Sequence, residues 1–223
     1  PDSFRGMRAY SLPKNPRLLI FDIDNTLYDN KAYAQHQLDV IVERLAAERG
    51  VEPGAAWAEI NSYRKRYRQQ HGATPSLGNT FVALGIPHEQ TMRWREEDIE
   101  PERYLDENRR LRRTLNDLKA QYRLLSLTNN PVSVGRRALA CMGVEECFEL
   151  VIGSDEVGVS KPSPAIVEYV LSKARVEAGT TVSIGDRYAV DIEPFLAHGA
   201  GGILVESMSD VYKVRPVLEN AAT

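Results

Sequence analysis

Five short apolar runs recur along this chain of 223 residues, and each gives way to small or polar residues. They are RLLIFD (17–22), YRLLSLT (122–128), FELVIG (148–153), TVSIGD (181–186) and GGILVE (201–206). Their hydrophobicity is continuous rather than alternating, which is typical of strands that are buried on both faces in a parallel sheet. Segments with helical periodicity separate the last four runs. This alternation predicts an α/β protein with a doubly wound, Rossmann-like parallel sheet.

Start and stop signals flank the helical segments between these runs. We expect Asn130 to cap a helix that has Pro131 at its first position and Gly143 as its stop. Ser163 and Pro164 should play the cap and first-position roles for the next helix. Strand and helix would then alternate along this part of the chain, with Lys161 in the loop GVSKPSP that leads into the second of these helices.

About a hundred residues separate the first run from the second, and this interval has a different pattern. Apolar residues such as Leu38 and Ile41 recur at helical spacing, and glycines end the helical stretches. We therefore expect a helical insert at about 29–103. The remaining residues, 1–28 and 104–223, would form one discontinuous core domain.

Composition narrows the range of partners. Lys and Arg number 28 and Asp and Glu 31, for a net charge of −3, which argues against nucleic acid or an anionic membrane as a partner. The two cysteines lack metal-binding or CxxC spacing and are expected to be reduced thiols of a cytoplasmic protein. No apolar run approaches the ~20 residues of a membrane span. Residues 1–16 lack an apolar signal core and are predicted to be a loose lead-in.

Two carboxylates, Asp22 and Asp24, stand side by side where the first run ends. At about 4 Å, two such charges repel by roughly 4 kcal/mol at an effective dielectric near 20, so the pair must serve a purpose. Ligands of open α/β sheets gather at the carboxyl ends of the strands. The polar residues expected at that edge are Asp22, Asp24, Thr128, Asn129, Lys161, Asp186 and Asp191.

Four carboxylates with one lysine leave an excess of negative charge that Mg²⁺, a hard cation with oxygen ligands, would relieve. A helix N-terminus at the same edge favours a bound phosphate. These groups predict phosphoryl transfer, in which one carboxylate attacks phosphorus and a nearby acid protonates the leaving group and later activates water. Lys161, Thr128 and the metal would hold the oxygens of the transferred group.

The motifs at this edge resemble those of the haloacid dehalogenase-like superfamily of phosphohydrolases. The superfamily has DxDxT after a strand, a Thr or Ser closing a second strand, a lysine, and GDxxxxD. The matching positions are Asp22, Asp24 and Thr26, then Thr128, then Lys161, then GDRYAVD at 185–191. The core of that fold would cover the residues before about 28 and after about 103, with a helical cap between them.

The resemblance also implies a role for each residue. Asp22 would be the nucleophile, and Asp24 the general acid and base that also binds metal through its backbone carbonyl. Asp186 would complete the metal ligands, and Asp191 would orient Lys161. The substrate phosphate would contact Thr128, Asn129 and Lys161.

Within the superfamily, DIDNTLY followed by YRKRYRQQHGATPSLG resembles the pyrimidine 5′-nucleotidase-like branch. His71 and Pro75 depart from the Tyr and Leu that are usual there. This resemblance implies a Mg²⁺-dependent phosphomonoesterase that acts on a small phosphorylated metabolite, with a preference for nucleoside 5′-monophosphates. Aromatic or imidazole groups of the insert would stack on the base. The candidates are Trp57, Tyr63, Tyr67, His71 and Trp94.

Alternatives remain open at this point. A phosphoglycolate or sugar-phosphate phosphatase, or a phosphomutase, would carry the same motifs. A dehalogenase needs no second acid in the first motif, so Asp24 argues against it. A catalytically silent relative that serves as a binding module belongs to a different functional class.

Overall fold

A six-stranded sheet organises residues 6–222, the part of the chain that the computed structural model describes. Its strands are β1 (Arg8–Tyr10), β2 (Leu18–Phe21), β3 (Arg123–Thr128), β4 (Leu150–Gly153), β5 (Thr181–Gly185) and β6 (Gly201–Leu204). They lie in the order β1-β6-β5-β2-β3-β4. β1 is antiparallel to β6, and all other pairs are parallel. The predicted α/β fold is confirmed, with one antiparallel strand added at the edge.

Helices connect the strands. They are α1 (Lys31–Arg49), α2 (Pro53–His71), α3 (Leu77–Ala83), α4 (His88–Asp98), α5 (Arg109–Lys119), α6 (Val132–Cys141), α7 (Pro164–Ala174), α8 (Glu193–Ala197), α9 (Met208–Val211) and α10 (Val214–Ala222). A π-helical turn at Tyr188–Ile192 leads into α8. None of these helices is long and apolar enough for a membrane crossing.

The two faces of the sheet bury separate apolar clusters, as the continuous hydrophobicity of the strands requires. Leu19 and Phe21 of β2 belong to the cluster that includes side chains of α5, α6 and α10. Leu18 and Ile20, the alternate residues of the same strand, pack with side chains of α7 and α8. Helices therefore cover both faces, and the strand ends remain free to carry polar groups.

Helices α1 to α4 have an apolar cluster of their own, built from residues such as Ile41, Ile60, Phe81 and Trp94. These four helices all lie between β2 and β3, where the sequence predicted a helical insert. Hydrogen bonds join them to the sheet-bearing part at several points, including His88 Nε2 with the Ser154 carbonyl oxygen at 3.1 Å. The insert therefore sits over the polar edge of the sheet.

Two local predictions were wrong. Part of the predicted loose lead-in forms β1, in which Ala9 is the register partner of Ile203 in β6. An edge strand of three residues needs only backbone pairing, so it leaves no apolar run in the sequence. Residues 1–5 of that segment, and residue 223, lie outside the described residues. The other error concerns α6, which begins at Val132 rather than Pro131 and is capped by the Asp155 carboxylate instead of Asn130. Helix α7 begins at Pro164 with Ser163 at the N-cap position, as predicted, but the Ser163 side chain accepts no capping hydrogen bond.

Candidate active site

The parallel register carries the polar residues to one edge of the sheet. Phe21 of β2 is the partner of Ser126 in β3 and of Ile184 in β5. The residues that follow in each strand therefore emerge at the same level. Asp22 comes directly after β2, Thr128 ends β3, and Asp186 comes directly after β5.

A tight turn after β2 separates the two neighbouring carboxylates. Asn25 has φ of 59°, a left-handed conformation that Asn tolerates better than most residues. Asp22 points to Lys161 within the core, whereas Asp24 points toward the helices of the insert. Each carboxylate thus has its own hydrogen-bond donors, and these offset the repulsion between the two.

Lys161 is the centre of the buried group. Its ammonium donates to Asp22 Oδ1 at 2.7 Å, to Asp191 Oδ1 at 2.7 Å and to the Leu127 carbonyl oxygen at 3.0 Å. The side chains of Lys161, Asp22 and Asp191 are only 2%, 3% and 1% exposed. Burial alone lowers the pKa of Lys161, but Asp191 and Asp22 outweigh it and raise that pKa. The lysine therefore remains charged and ties both carboxylates in place.

Asn129 fixes the backbone of the lysine. Its Oδ1 accepts from the Lys161 amide at 2.7 Å, and its Nδ2 donates to the Lys161 carbonyl oxygen at 3.2 Å. This reciprocal pair joins the end of β3 to the loop before α7. The Asn129 side chain thus holds the backbone of Lys161.

Asp24 accepts four hydrogen bonds. Tyr28 and Gln37 donate to Oδ1 at 2.6 and 2.9 Å, and Thr128 and Asn130 donate to Oδ2 at 3.2 and 3.0 Å. Gln37 belongs to α1, so one of the four donors comes from the insert. The position of this carboxylate therefore depends on the contact between the insert and the sheet.

Three acids at this edge have the spacing of a cation site. Carboxylate oxygens of Asp22, Asp186 and Asp191 all lie within 4.8 Å of one another. Asp186 Oδ1 is buried and has no hydrogen-bond partner among the described residues. Both Asp191 oxygens are engaged, by Lys161 and by the Arg187 amide. Asp186 Oδ1 has the Arg187 Nε at 3.7 Å but no hydrogen bond from the described residues, and together with Asp22 it fits a hard divalent cation such as Mg²⁺.

The pKa values of these acids reflect the same crowding. Burial, together with the charges of Asp191 and Asp24, raises the pKa of Asp22 to about 7 despite the opposing effect of Lys161. Burial and Asp191 raise the pKa of Asp186 to about 6. A cation at this position would favour the ionised form of both acids. Gly185 allows this packing, because a Cβ at that position would lie 2.4 Å from the Asp191 Cβ.

A cavity of about 260 Å³ lies between the insert and the sheet, next to Asp24. Amides and guanidinium groups, among them Gln37, Arg64 and Arg95, share the lining with aliphatic side chains such as Leu38 and Ile41. Tyr28 contributes an aromatic ring, and its hydroxyl is bonded to Asp24. The cavity is therefore small, partly apolar, and cationic on the side of the insert.

The aromatic groups predicted to stack on a base lie elsewhere. Trp94 is 7% exposed and packs edge-on against Phe81 in the apolar core of the insert. Tyr67 packs against Tyr63 and His71 along α2. None of these described side chains, nor Trp57, lines the cavity. The groups predicted to stack on a base are thus absent from the described wall, where Tyr28 supplies an aromatic ring instead.

Sequence reasoning did not predict several of the residues that line this cavity. Gln37, Asn130, Arg64, Arg95 and Arg187 were not singled out as site residues, and Asn130 was assigned a capping role only. A signal for Arg95 existed, because it lies one helical turn after Thr91 on the buried face of α4. A charged residue on a buried face calls for a partner, and the sequence did not provide an obvious one.

Comparison with known proteins gives a family match over most of the chain. The family model described as haloacid dehalogenase-like hydrolase matches residues 16–199. That range contains every predicted site residue, from Asp22 to Asp191.

Individual relatives and a solved structure agree with this match. The phosphoglycolate phosphatase of Pectobacterium atrosepticum is 29% identical over 149 residues, which cover 66% of this chain and 52% of that enzyme. The chain thus spans about half the length of this relative. The glyceraldehyde 3-phosphate phosphatase of Methanothermobacter thermautotrophicus is 25% identical over 205 residues, 86% of each chain. The crystal structure of a HAD phosphatase from Thermococcus onnurineus shares the fold, with a TM-score of 0.56, 20% identity, and coverage of 89% of this chain and 97% of that one.

These matches support the superfamily but not the pyrimidine 5′-nucleotidase-like branch that the sequence motifs suggested. The names of these two relatives are phosphoglycolate phosphatase and glyceraldehyde 3-phosphate phosphatase.

Proposed function

The chain belongs to the haloacid dehalogenase-like hydrolase family, and we propose that it is a Mg²⁺-dependent phosphomonoesterase that acts through an aspartyl-phosphate intermediate. The observation that carries this proposal is the buried contact of 2.7 Å between Asp22 and Lys161, with Asp191 bonded to the same ammonium. Such a contact holds a carboxylate at a strand end beside a fixed positive charge. This arrangement suits attack on a phosphoryl group.

In the first step, a carboxylate oxygen of Asp22 attacks phosphorus, and the bond from phosphorus to the ester oxygen breaks. Protonated Asp24 donates its proton to that departing oxygen, so the alcohol leaves neutral. Lys161 and Thr128 hold the oxygens of the transferred group. Asn129 keeps Lys161 in place and is a further candidate for a phosphate contact.

In the second step, Asp24 is a carboxylate and accepts a proton from water. The water oxygen attacks phosphorus, the bond between phosphorus and Asp22 breaks, and inorganic phosphate leaves. One residue thus acts as acid and then as base, and its protonation state is restored at the end. The hydrogen bonds from Tyr28, Gln37 and Asn130 keep the Asp24 side chain at the site between the two steps, while the Thr128 hydroxyl is available to the transferred group.

Asp22 and Asp186 would hold the Mg²⁺, with the Asp24 backbone carbonyl as a further ligand. When bound, the ion neutralises negative charge on the phosphoryl oxygens and on the carboxylates around them. Asp191, whose oxygens are already engaged, would serve by orienting Lys161. We propose in the same way that residues 29–103 act as a cap over the site and that 1–28 and 104–223 form the catalytic core.

For the substrate, we favour a small phosphorylated acid or sugar over a nucleotide. The cavity of about 260 Å³ lies below the roughly 300–1,000 Å³ of typical ligand sites, and it lacks a stacking ring among the groups predicted for one. Relatives named for phosphoglycolate and glyceraldehyde 3-phosphate support the same choice. The nucleotide preference inferred from the motifs rests on that motif similarity alone.

A side-by-side comparison of substrates tests this choice. Phosphoglycolate, glyceraldehyde 3-phosphate, a hexose phosphate, UMP, CMP and AMP would be hydrolysed under identical conditions with Mg²⁺. We expect kcat/KM for one of the two smallest substrates to exceed that for the nucleotides by at least about tenfold, since large groups lack room and contacts. A clear advantage for UMP or CMP would reverse the assignment.

Two other functions are tested in the same assay. Hydrolysis of an aryl phosphate separates an enzyme from a silent binding module, because a module releases no phosphate. Transfer of phosphate to an added sugar phosphate, faster than release to water, would instead reveal a phosphomutase.

Asp24→Asn should slow both steps, each by roughly 10²–10⁴-fold, because an amide neither donates nor accepts the catalytic proton. Aryl phosphates have good leaving groups and need less protonation. Rapid-quench measurement of the first turnover should therefore show a smaller loss with an aryl phosphate than with an alkyl phosphate. Asp39→Asn, an exposed change on α1, is the matched control. Equal losses on both substrates would contradict proton donation by Asp24.

A further inference from the structure

Arg95 is a buried cation without an anionic partner among the described residues. Arg95 is 6% exposed, and its Nη1 donates a hydrogen bond to Asn130 Oδ1 at 2.7 Å. Its Nε is buried and has no hydrogen-bond partner among residues 6–222. Burial lowers the pKa of Arg95 to about 10, although the charge of Asp24 partly offsets this. Such a group costs stability unless an anion joins it.

The rest of α4 shows that acids were available to this arginine. Glu89 and Asp98 of the same helix pair with Arg93 and Arg44 on the outer surface. Among the ion pairs of the described residues, none involves Arg95. The missing partner is therefore a property of this position and does not reflect a shortage of carboxylates nearby.

Arg64 of α2 reaches the same cavity from the opposite helix. Its Nε is also buried without a hydrogen-bond partner in the described part of the chain. Burial, and then the charge of Arg187, lower the pKa of Arg64. Both arginines line the cavity next to Asp24, so two incompletely bonded guanidinium groups face one small space.

A chain of two hydrogen bonds connects Arg95 to Asp24, the residue next to the leaving group. Asn130 Oδ1 accepts a hydrogen bond from Arg95, and Asn130 Nδ2 donates to Asp24 Oδ2 at 3.0 Å. Asp24 is the residue that would protonate the ester oxygen. A substituent on that oxygen would therefore extend into the space that Arg95 and Arg64 line.

We propose that Arg95 and Arg64 determine specificity by binding a carboxylate attached to the leaving group, so that the substrate is the phosphate ester of a short hydroxy acid. This inference rests on the proposed phosphatase function and narrows its substrate class. A guanidinium group pairs with a carboxylate through two parallel hydrogen bonds, and the free Nε atoms supply donors for such a pair. The small cavity favours a carboxylate close to the ester oxygen.

The test compares phosphoglycolate with its neutral amide, phosphoglycolamide, which has the same size. Wild-type protein should prefer the acid. Arg95→Gln should lower kcat/KM for phosphoglycolate by about 30- to 4,000-fold, the loss expected when one partner of a buried charge pair is removed. The loss of kcat/KM for phosphoglycolamide should be at least tenfold smaller. The ratio of kcat/KM for the acid to kcat/KM for the amide should therefore fall. Arg93→Gln, an exposed change on the same helix, should leave that ratio unchanged.

Arg64→Gln provides a second variant at a half-buried position, and it should lower the ratio in the same direction. If circular dichroism shows that the Arg95→Gln protein does not fold, the ratio measured with Arg64→Gln tests the proposal instead. An aryl phosphate and ethylene glycol bisphosphate complete the set of substrates. The aryl phosphate reports phosphatase chemistry without a carboxylate.

Each outcome has a definite meaning. An unchanged ratio in the folded variants, with normal aryl phosphate hydrolysis, overturns the carboxylate site and leaves the phosphatase assignment standing. If the wild-type protein prefers ethylene glycol bisphosphate to phosphoglycolate, the two arginines bind a second phosphate group, and the proposed carboxylate site is also overturned. Failure of the wild type on every substrate, with Mg²⁺ present, overturns both proposals.

Discussion

Asp22→Asn should abolish turnover, with a loss of roughly 10⁴–10⁶-fold in kcat, the range seen when a catalytic nucleophile is removed. An amide is a poor nucleophile toward phosphorus, and no other described carboxylate holds both the strand-end position and the contact of 2.7 Å with Lys161 that Asp22 has. The variant should still fold, because its amide oxygen can accept from Lys161. Asp191 keeps its own bond to the same ammonium.

Steady-state hydrolysis of an aryl phosphate and of phosphoglycolate measures this loss. Acid-quenched wild-type protein should carry a phosphoryl group that intact-mass spectrometry detects and that the Asp22→Asn protein lacks. Asp117→Asn, an exposed change on α5, controls for the substitution itself. If the Asp22→Asn protein kept more than a tenth of wild-type activity, attack by Asp22 would be ruled out.

The sheet and its polar edge could be predicted because parallel strands impose strong limits on a sequence. Strands buried on both faces must be continuously apolar, and their ends must then carry whatever polar chemistry the fold supports. The prediction of Asp22 beside Lys161 and Asp191 followed from motif order, and the structure brings the three side chains together. The edge strand β1 was missed because its stability comes from backbone pairing with β6, which leaves no apolar pattern.

The cap side of the site could not be predicted in the same way. Helical periodicity identifies which face of α1 or α4 is buried, but it does not distinguish the core of the insert from its contact with the sheet. Trp94 and Arg95 are neighbours in sequence; the first packs in the insert core, and the second reaches Asn130. Only the three-dimensional packing separates these two environments. The aromatic groups chosen for base stacking were misassigned for the same reason.

Metal dependence is the second large effect that we expect. Chelation with EDTA should remove activity and added Mg²⁺ should restore it, because the oxygens of Asp22, Asp186 and Asp191 crowd within 4.8 Å around one position. Asp186 Oδ1 is the oxygen there that is buried without a hydrogen-bond partner among the described residues. Asp186→Asn should therefore weaken the apparent affinity for Mg²⁺ or eliminate turnover.

Thermal unfolding gives a readout of this site that does not depend on catalysis. A ligand that binds only the folded state stabilises it, by about 2.7 kcal/mol at a concentration 100 times its Kd. Mg²⁺ should thus raise the Tm of the wild-type protein and of the Asp117→Asn control, but not that of Asp186→Asn. Full activity in metal-free buffer, or an equal rise in Tm for all three proteins, would contradict the assignment. The crowded acids at the strand ends would then need another explanation, since among the described residues the three carboxylates have only two cations beside them. Lys161 pairs with Asp22 and Asp191, and the Arg187 Nε lies 3.7 Å from Asp186 Oδ1 and 3.9 Å from Asp191 Oδ2.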